Sequence, residues 1–338
     1  MTRRIGVVAV GILLAAAAVL GGVVVADASG ADNPPRTSTP PAPQPTAAEV
    51  PAPRTADADG FEAAPFDVTP EIKVTAVRFV QSVGTWSPSS PAAASERLAA
   101  AGYPADLVVV AGALLDESAS SATTQVVYPQ YGGLTDTTAS VMVLARQELR
   151  DSTGAREREV LLDVRLARQA DGAWEVTSRI DPARPAYAEA RPGGPTERGG
   201  QVLEAPGIEL PGPARDDIVE RRAGDPILSV LATLAQTWDL DVQVLVSGHP
   251  GTVFPTTRVS NHTVGRAVDV RAIDGRPVAA IPRDDPVLTS FMVAAGAAGA
   301  TEVGGPVLPA GTGLFADAVH QDHIHVGITP TKPPASGS

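Results

Sequence analysis

From its N-terminus, the chain alternates between segments with a clear hydrophobic period and segments with none. Ile5–Ala26 is an uncharged apolar run of 22 residues behind a short basic lead, Met1-Thr2-Arg3-Arg4. A transmembrane helix takes about 20 residues. A secretory h-region is shorter, about 7–15 residues. Ala26-Asp27-Ala28 offers a small-x-small cleavage site as the alternative. In both cases Arg3 and Arg4 stay cytoplasmic and the rest of the chain is exported. Residues 1–30 are therefore expected to be a membrane anchor or a signal peptide. Residues 31–67 have no period and are rich in Pro, Ala, Thr and Asp. Such a tract cannot bury a core and predicts an extended linker or stalk.

Periodicity returns at about residue 68. Thr75–Val83 has apolar residues at helical spacing, and Ala92–Ala101 continues with helix formers. Val141–Ala145 and Glu159–Leu166 read as strands, with a turn near Ser152-Thr153-Gly154. Asp171-Gly172 is a two-residue hairpin signal before Trp174–Ser178. Helices first, then an antiparallel sheet closed by a D-G-x-W hairpin, resembles the cone-shaped α+β fold of nuclear-transport-factor-like domains. Residues 68–190 contain no catalytic cluster, and the reading is an accessory domain, a spacer or a module for a protein partner.

A second Pro-, Gly- and Arg-rich stretch, residues 191–215, predicts a linker. Residues 216–330 then read as a further α+β domain with a small antiparallel sheet. Ile227–Trp238 is an amphipathic helix behind Asp225-Pro226, and Val242–Val246 is an apolar strand. Ala267–Ala272 is a second strand turned by Asp274-Gly275. A helix follows from Asp284-Asp285-Pro286 to about Ala298, and His323–Ile328 is a last strand.

Composition narrows the chemistry. The formal net charge of -12 argues against a nucleic-acid partner. The abundance of Ala, Val, Gly and Pro points toward a GC-rich bacterial genome. There is no cysteine, so disulfides, thiolate nucleophiles, lipoprotein anchors and Cys-based zinc sites are excluded. A metal site must use His and carboxylates. The chain has five histidines, and three of them, His320, His323 and His325, fall within six residues around Asp322. The other two are His249 and His262.

Strand alternation gives this clustering a chemical meaning. Asp269 shares a strand face with Ala267, while Val268 and Val270 point the other way. An acid in an apolar strand is costly to bury alone and needs a partner such as a metal ion. His323 and His325 likewise share a face, opposite Ile324 and Val326. Gly265 lets the backbone turn sharply between His262 and the strand. His262, Asp269 and one of His323 or His325 make a His₂-carboxylate zinc site, whose fourth position is left to water in catalytic sites.

The pattern Ser260-x-His262-x-x-Gly265-x-Ala267-x-Asp269, followed by His323-x-His325, resembles the zinc peptidases of the D-Ala-D-Ala carboxypeptidase, murein endopeptidase and hedgehog-fold group. The match spans about 80 residues, Ser247 to Gly327. The resemblance implies Zn²⁺ held by His262, Asp269 and His325. It places His323 and His320 at active-site positions and Asp322 where related dipeptidases carry a catalytic Glu, which makes Asp322 the first choice for the proton-transferring base. It also implies peptidoglycan peptides as substrate. Family members read Ser-Gly-Tyr-Arg after the preceding strand, whereas this chain reads Ser247-Gly248-His249-Pro250. Arg258 and Arg266 are the candidates to replace the missing Arg, with Ser260 and His249 beside them as substrate contacts. The loss favours endopeptidase over carboxypeptidase action. A second class of function follows from the same loss: an inactive metal-binding module that recognises peptidoglycan or a protein without cutting.

Overall fold

The structure, a computed structural model, describes residues 61–115, 118–178 and 187–329. The apolar run Ile5–Ala26 and most of the following linker lie outside these residues. Among the described residues no helix is long and apolar enough to cross a membrane.

The first folded half opens with helices α1 (Pro70–Gly84), α2 (Ala94–Ala100) and α3 (Val108–Ala111). Strands β1 (Ser121–Leu134), β2 (Thr138–Asp151), β3 (Gly154–Arg168) and β4 (Trp174–Val176) follow as an antiparallel sheet in that order. Ile72, Ala76, Phe79, Val80 and Val83 form the apolar stripe of α1. They pack on Val141, Val143, Val164 and Leu166 of one sheet face. β4 pairs with β3 through the Asp171-Gly172 turn, and Gly172 takes the positive φ of 93° that this turn needs.

β1 has no counterpart in the hydrophobic pattern. It contains Pro129 and Gly132-Gly133, residues that normally argue against a strand. It is tolerated because it lies at the sheet edge, where a residue without an N–H costs least. Its register against β2 shifts between Val126 and Tyr128 and again between Tyr131 and Gly133.

The second half contains α4 (Glu197–Glu204), β5 (Ile208–Glu209), α5 (Gly212–Val219), α6 (Asp225–Leu234), β6 (Leu240–Val244), β7 (Ala267–Ile273), β8 (Arg276–Pro277), α7 (Pro286–Ala297), β9 (Glu302–Gly305), β10 (Leu314–Ala316) and β11 (Ile324–Gly327). The sheet runs β10-β9-β11-β7-β6-β5, with β8 on β7. It is mixed rather than purely antiparallel, because β10–β9 and β5–β6 are parallel pairs. α7 starts where Asp285 accepts from the Val287 N–H at 3.0 Å, with Pro286 behind it.

Residues 191–215, expected as a linker, are folded. They supply α4, β5 and the start of α5. Val202, Ile208, Leu210 and Ala214 are buried in the same core as β6, β7 and β11. The Pro, Gly and Arg residues concealed an apolar residue every few positions.

The two halves share an interface. Met142, Leu144 and Leu161 of the first sheet and Val244 of β6 form one apolar cluster. Each buried side chain of this size contributes about 1.5–3 kcal/mol. Gln243 donates to the carbonyls of Tyr128 and Met142 at 3.2 and 3.3 Å. A Cβ on Gly133 would lie 2.4 Å from the Phe254 ring, so the β1 end and the Phe254 loop are in direct contact.

Candidate metal centre

β7 and β11 run antiparallel with Asp269 opposite His325. Val268, Val270, Ile324 and Val326 face the core, so the other face of both strands carries the acid and the imidazole. His262 reaches them from the turn before β7, where the Gly265 N–H donates to the His262 carbonyl at 2.9 Å. Gly265 has φ 72°, and a Cβ there would lie 2.0 Å from the Arg222 carbonyl oxygen. Only glycine satisfies both conditions.

Three donor atoms converge. His262 Nε2 lies 3.1 Å from Asp269 Oδ1 and 3.1 Å from His325 Nδ1, and His325 Nδ1 lies 3.0 Å from Asp269 Oδ1. Tetrahedral zinc with bonds near 2.0–2.1 Å separates its ligands by roughly 3.3 Å, so this triangle needs only a small opening to fit. The three side chains are buried, His262 and Asp269 almost completely. Burial alone would raise the Asp269 carboxyl, but His262, His323 and His325 hold it well below the ordinary range. A buried carboxylate that stays ionised among imidazoles is what a cation site requires.

The outward nitrogen of each ring is tied. His262 Nδ1 donates to the Leu245 carbonyl at 2.7 Å. His325 Nε2 faces Glu302 Oε1 at 3.1 Å. Glu302 also accepts from Asn261 at 2.8 Å and from Thr329 at 2.9 Å. The His325 hydrogen bond is the main reason that the Glu302 carboxyl falls to about 2. These are the partners that orient metal-ligating histidines, and Glu302 was not read from the sequence. It lies on β9, beside β11, and 23 residues separate it from His325.

His249 stands beside the triangle. Its ring stacks on His262 with centroids 3.9 Å apart and planes at 13°, and its Nδ1 lies 2.8 Å from the Pro250 carbonyl. Burial, and then the His262 imidazole, push it well below the usual imidazole value. His249, His262 and Asp269 place ligand atoms within 4.8 Å of one another, a group that can hold a metal ion. Two overlapping trios thus share His262 and Asp269.

Asp322 does not line the cavity. It is fully buried behind His323. Oδ1 accepts from His323 Nδ1 at 2.6 Å, and Oδ2 accepts from the Tyr131 N–H at 2.9 Å and from Lys73 Nζ at 2.7 Å. Lys73 also pairs with Asp67. Burial would raise the Asp322 carboxyl, but Lys73 and His323 outweigh it and hold it low. With both oxygens engaged, Asp322 is placed to orient His323 rather than to reach a substrate. His323 does line the cavity, with Nε2 3.8 Å from Asp269 Oδ2.

His320 lies in a short 3₁₀ turn, Val319–Gln321. Its Nδ1 is 2.7 Å from Asp317 Oδ1, and its ring centroid is 4.9 Å from that of His323. Burial lowers its pKa, although Asp317 opposes this.

The cavity has a volume of about 220 Å³ and is open to solvent. Arg258 lies on its lining, exposed, with Nη1 3.8 Å from Glu302. Arg266 is exposed and does not line the cavity. Ser260 lines it, but its hydroxyl already accepts from the His262 N–H at 3.3 Å and lies 3.4 Å from His249 Nδ1. Tyr131, Gly132 and Gly133 of β1 form part of the wall, so the accessory half borders the site. No family model matches the chain, and neither does any curated protein or solved structure.

Proposed function

We propose that this chain is an exported zinc peptidase that cleaves peptide bonds in bacterial peptidoglycan. The observation that carries the reading is the convergence of His262 Nε2, Asp269 Oδ1 and His325 Nδ1, with the Asp322–His323 pair beside it. Two imidazoles and a carboxylate suit zinc, and the absence of cysteine leaves this donor set as the available one. His325 is the third ligand in preference to His249. Imidazole lone pairs lie in the ring plane; the His325 ring is inclined at 56° to His262, which suits convergence on one ion better than the near-parallel stack of His249 on His262.

Zinc held there would polarise the scissile carbonyl and bring the pKa of a bound water to about 7. The chain's own residues do the rest. Asp322 holds the proton on His323 Nδ1, which leaves Nε2 free to face the cavity. His323 takes the proton of the attacking water at Nε2 and returns it to the leaving amine, a contribution of about 10²–10⁴-fold. His320, held by Asp317 in the same way, is a second acceptor, its ring 4.9 Å from that of His323. Arg258 is the cation available to a substrate carbonyl or carboxylate. The motif shared with D-Ala-D-Ala carboxypeptidases and murein endopeptidases supports peptidoglycan peptides as substrate, and the missing Arg after Ser247-Gly248 supports endopeptidase action. The Ile5–Ala26 run supports export with a retained anchor.

The test is zinc content together with release of new amines from peptidoglycan peptides by the purified protein. We expect one zinc per chain, and a loss of at least about 100-fold in rate on His323→Ala with zinc retained. Zinc bound without cleavage would instead favour a module that recognises peptidoglycan without cutting, a reading that the missing Arg also suits.

A further inference from the structure

We propose that the accessory half is a working part of this centre, through Gln130 of β1 as a positioning residue that fixes the Asp269 carboxylate. The inference rests on the ligand set proposed above. Gln130 is fully buried. Its Nε2 donates to Asp269 Oδ2 at 2.7 Å, while Asp269 Oδ1 belongs to the His262–His325 triangle. One carboxylate oxygen is therefore held by the accessory half and the other is presented to the imidazoles. Without the Gln130 donor, Oδ2 keeps no hydrogen-bond partner, His323 Nε2 standing 3.8 Å away, and the carboxylate is held through Oδ1 alone.

The orientation of the amide is forced, since only its nitrogen end can donate to a carboxylate. That choice leaves Gln130 Oε1 buried with no hydrogen-bond partner. Gln243 Oε1, at the same interface, is likewise buried without a partner, so what sets Gln130 apart is its donor to the Asp269 carboxylate. The strand carrying Gln130 is pinned on both sides of it. Tyr128 donates its hydroxyl to the Asp322 carbonyl at 2.5 Å, and the Tyr131 N–H donates to Asp322 Oδ2 at 2.9 Å. The bulges flanking Gln130 in β1 mark where the strand leaves regular pairing to reach across.

The test uses the full chain with Gln130→Met, which keeps the length of the side chain and removes the donor. Zinc affinity is measured by competition with a chromophoric chelator, alongside the visible spectrum of the Co²⁺-loaded protein. Loss of a partner of this kind weakens metal binding by about 10–100-fold, and the cobalt spectrum should change with the carboxylate geometry. Gln243→Met is the control. Gln243 is buried at the same interface but donates only to backbone carbonyls, so its loss should lower thermal stability and leave zinc affinity unchanged. Should Gln130→Met fail to fold, Gln130→Asn, which retracts the amide by one methylene, carries the same expectation. Wild-type zinc affinity and an unchanged cobalt spectrum in a folded Gln130 variant would overturn the positioning role and leave the metal reading intact. Failure of the wild type to bind zinc, with His262→Ala no different, would overturn both.

Discussion

Replacing Lys73 with methionine removes a cation paired with two buried carboxylates. Lys73 and Asp67 are each 1% exposed and Asp322 is fully buried. The ammonium lies 2.7 Å from Asp322 Oδ2 and also contacts Asp67. It sits over the Tyr131 ring as well, 4.9 Å from the centroid. Methionine fills similar volume, so the cavity term is small and the electrostatic term decides. Removing one partner of a buried pair costs about 3–5 kcal/mol, because the remaining charge stays desolvated. Native stability is about 5–15 kcal/mol. At roughly 2–4 °C per kcal/mol for a chain of this size, the melting temperature should fall by about 6–20 °C at pH 7. The pH dependence carries the sign. Lys73 helps hold the Asp322 pKa below its ordinary value. That stability is present above the unfolded Asp value near 3.9 and is lost as pH falls through the folded value. The deficit of Lys73→Met should therefore be largest near neutrality and shrink below about pH 4. Circular dichroism melts of wild type and variant, in chelator, across this range test it. A fall of under about 2 °C at pH 7, or a deficit that stays constant on acidification, would refute the reasoning.

Two further outcomes concern the turn and strand of the proposed metal site. Gly265→Ala places a methyl 2.0 Å from the Arg222 carbonyl at a positive φ, so we expect at least about 2 kcal/mol of destabilisation and weaker zinc binding. Normal stability and affinity by chemical denaturation and chelator competition would contradict the tight turn. For His325, burial would lower the pKa, but the Asp269 and Glu302 carboxylates outweigh it and raise it to about 9. After chelation, protonated His325 stabilises the fold fully below its unfolded value near 6.5, and this contribution is lost as pH rises through about 9. Zinc must displace that proton, so calorimetry in two buffers at pH 7 should show about one proton released per zinc from this group. No release would point to the trio with His249, whose pKa is already depressed.

The parts of this architecture legible in the sequence are those whose information is local. Valines flanking Asp269, and Ile324 and Val326 flanking His325, assign each polar side chain to a face, and the strands realise this. Gly265 announces its turn by its conformational freedom alone. What could not be read depends on partners distant in the chain. β1 was hidden because Pro129 and the Gly132-Gly133 pair break its alternation, yet an edge strand tolerates both. Gln130 and Asp269 are separated by 139 residues, and Lys73 is more distant still from Asp322. No spacing rule links them. Asp322 looked like a base because its position relative to His325 is right, but proximity along the chain says nothing about which way a carboxylate is engaged. Lys73 and the Tyr131 amide, both from the other half, decide that.

Four of the five histidines share a common device, and the exception, His325, explains the crowding near the C-terminus. His249, His262, His320 and His323 each have Nδ1 tied to an oxygen, of Pro250, Leu245, Asp317 and Asp322 respectively. This fixes one tautomer and leaves Nε2 as the available nitrogen. His325 is reversed. Its Nε2 faces Glu302 and its Nδ1 faces the triangle. The reversal follows from sheet order. β11 lies between β7, which carries Asp269, and β9, which carries Glu302. An imidazole on the central strand thus meets a carboxylate on either side, and its shorter reach through Nδ1 goes to the residue directly opposite. Placing His323 two positions earlier sends its ring beside the same carboxylate without competing for Glu302. His320, in the 3₁₀ turn before, stands beside the His323 ring and is held by a different acid, Asp317. Three histidines in six residues therefore take three different positions, two of them beside Asp269, each with its own oxygen partner. Such an arrangement needs a strand and its preceding turn, not a helix, where an i,i+2 pair would point apart.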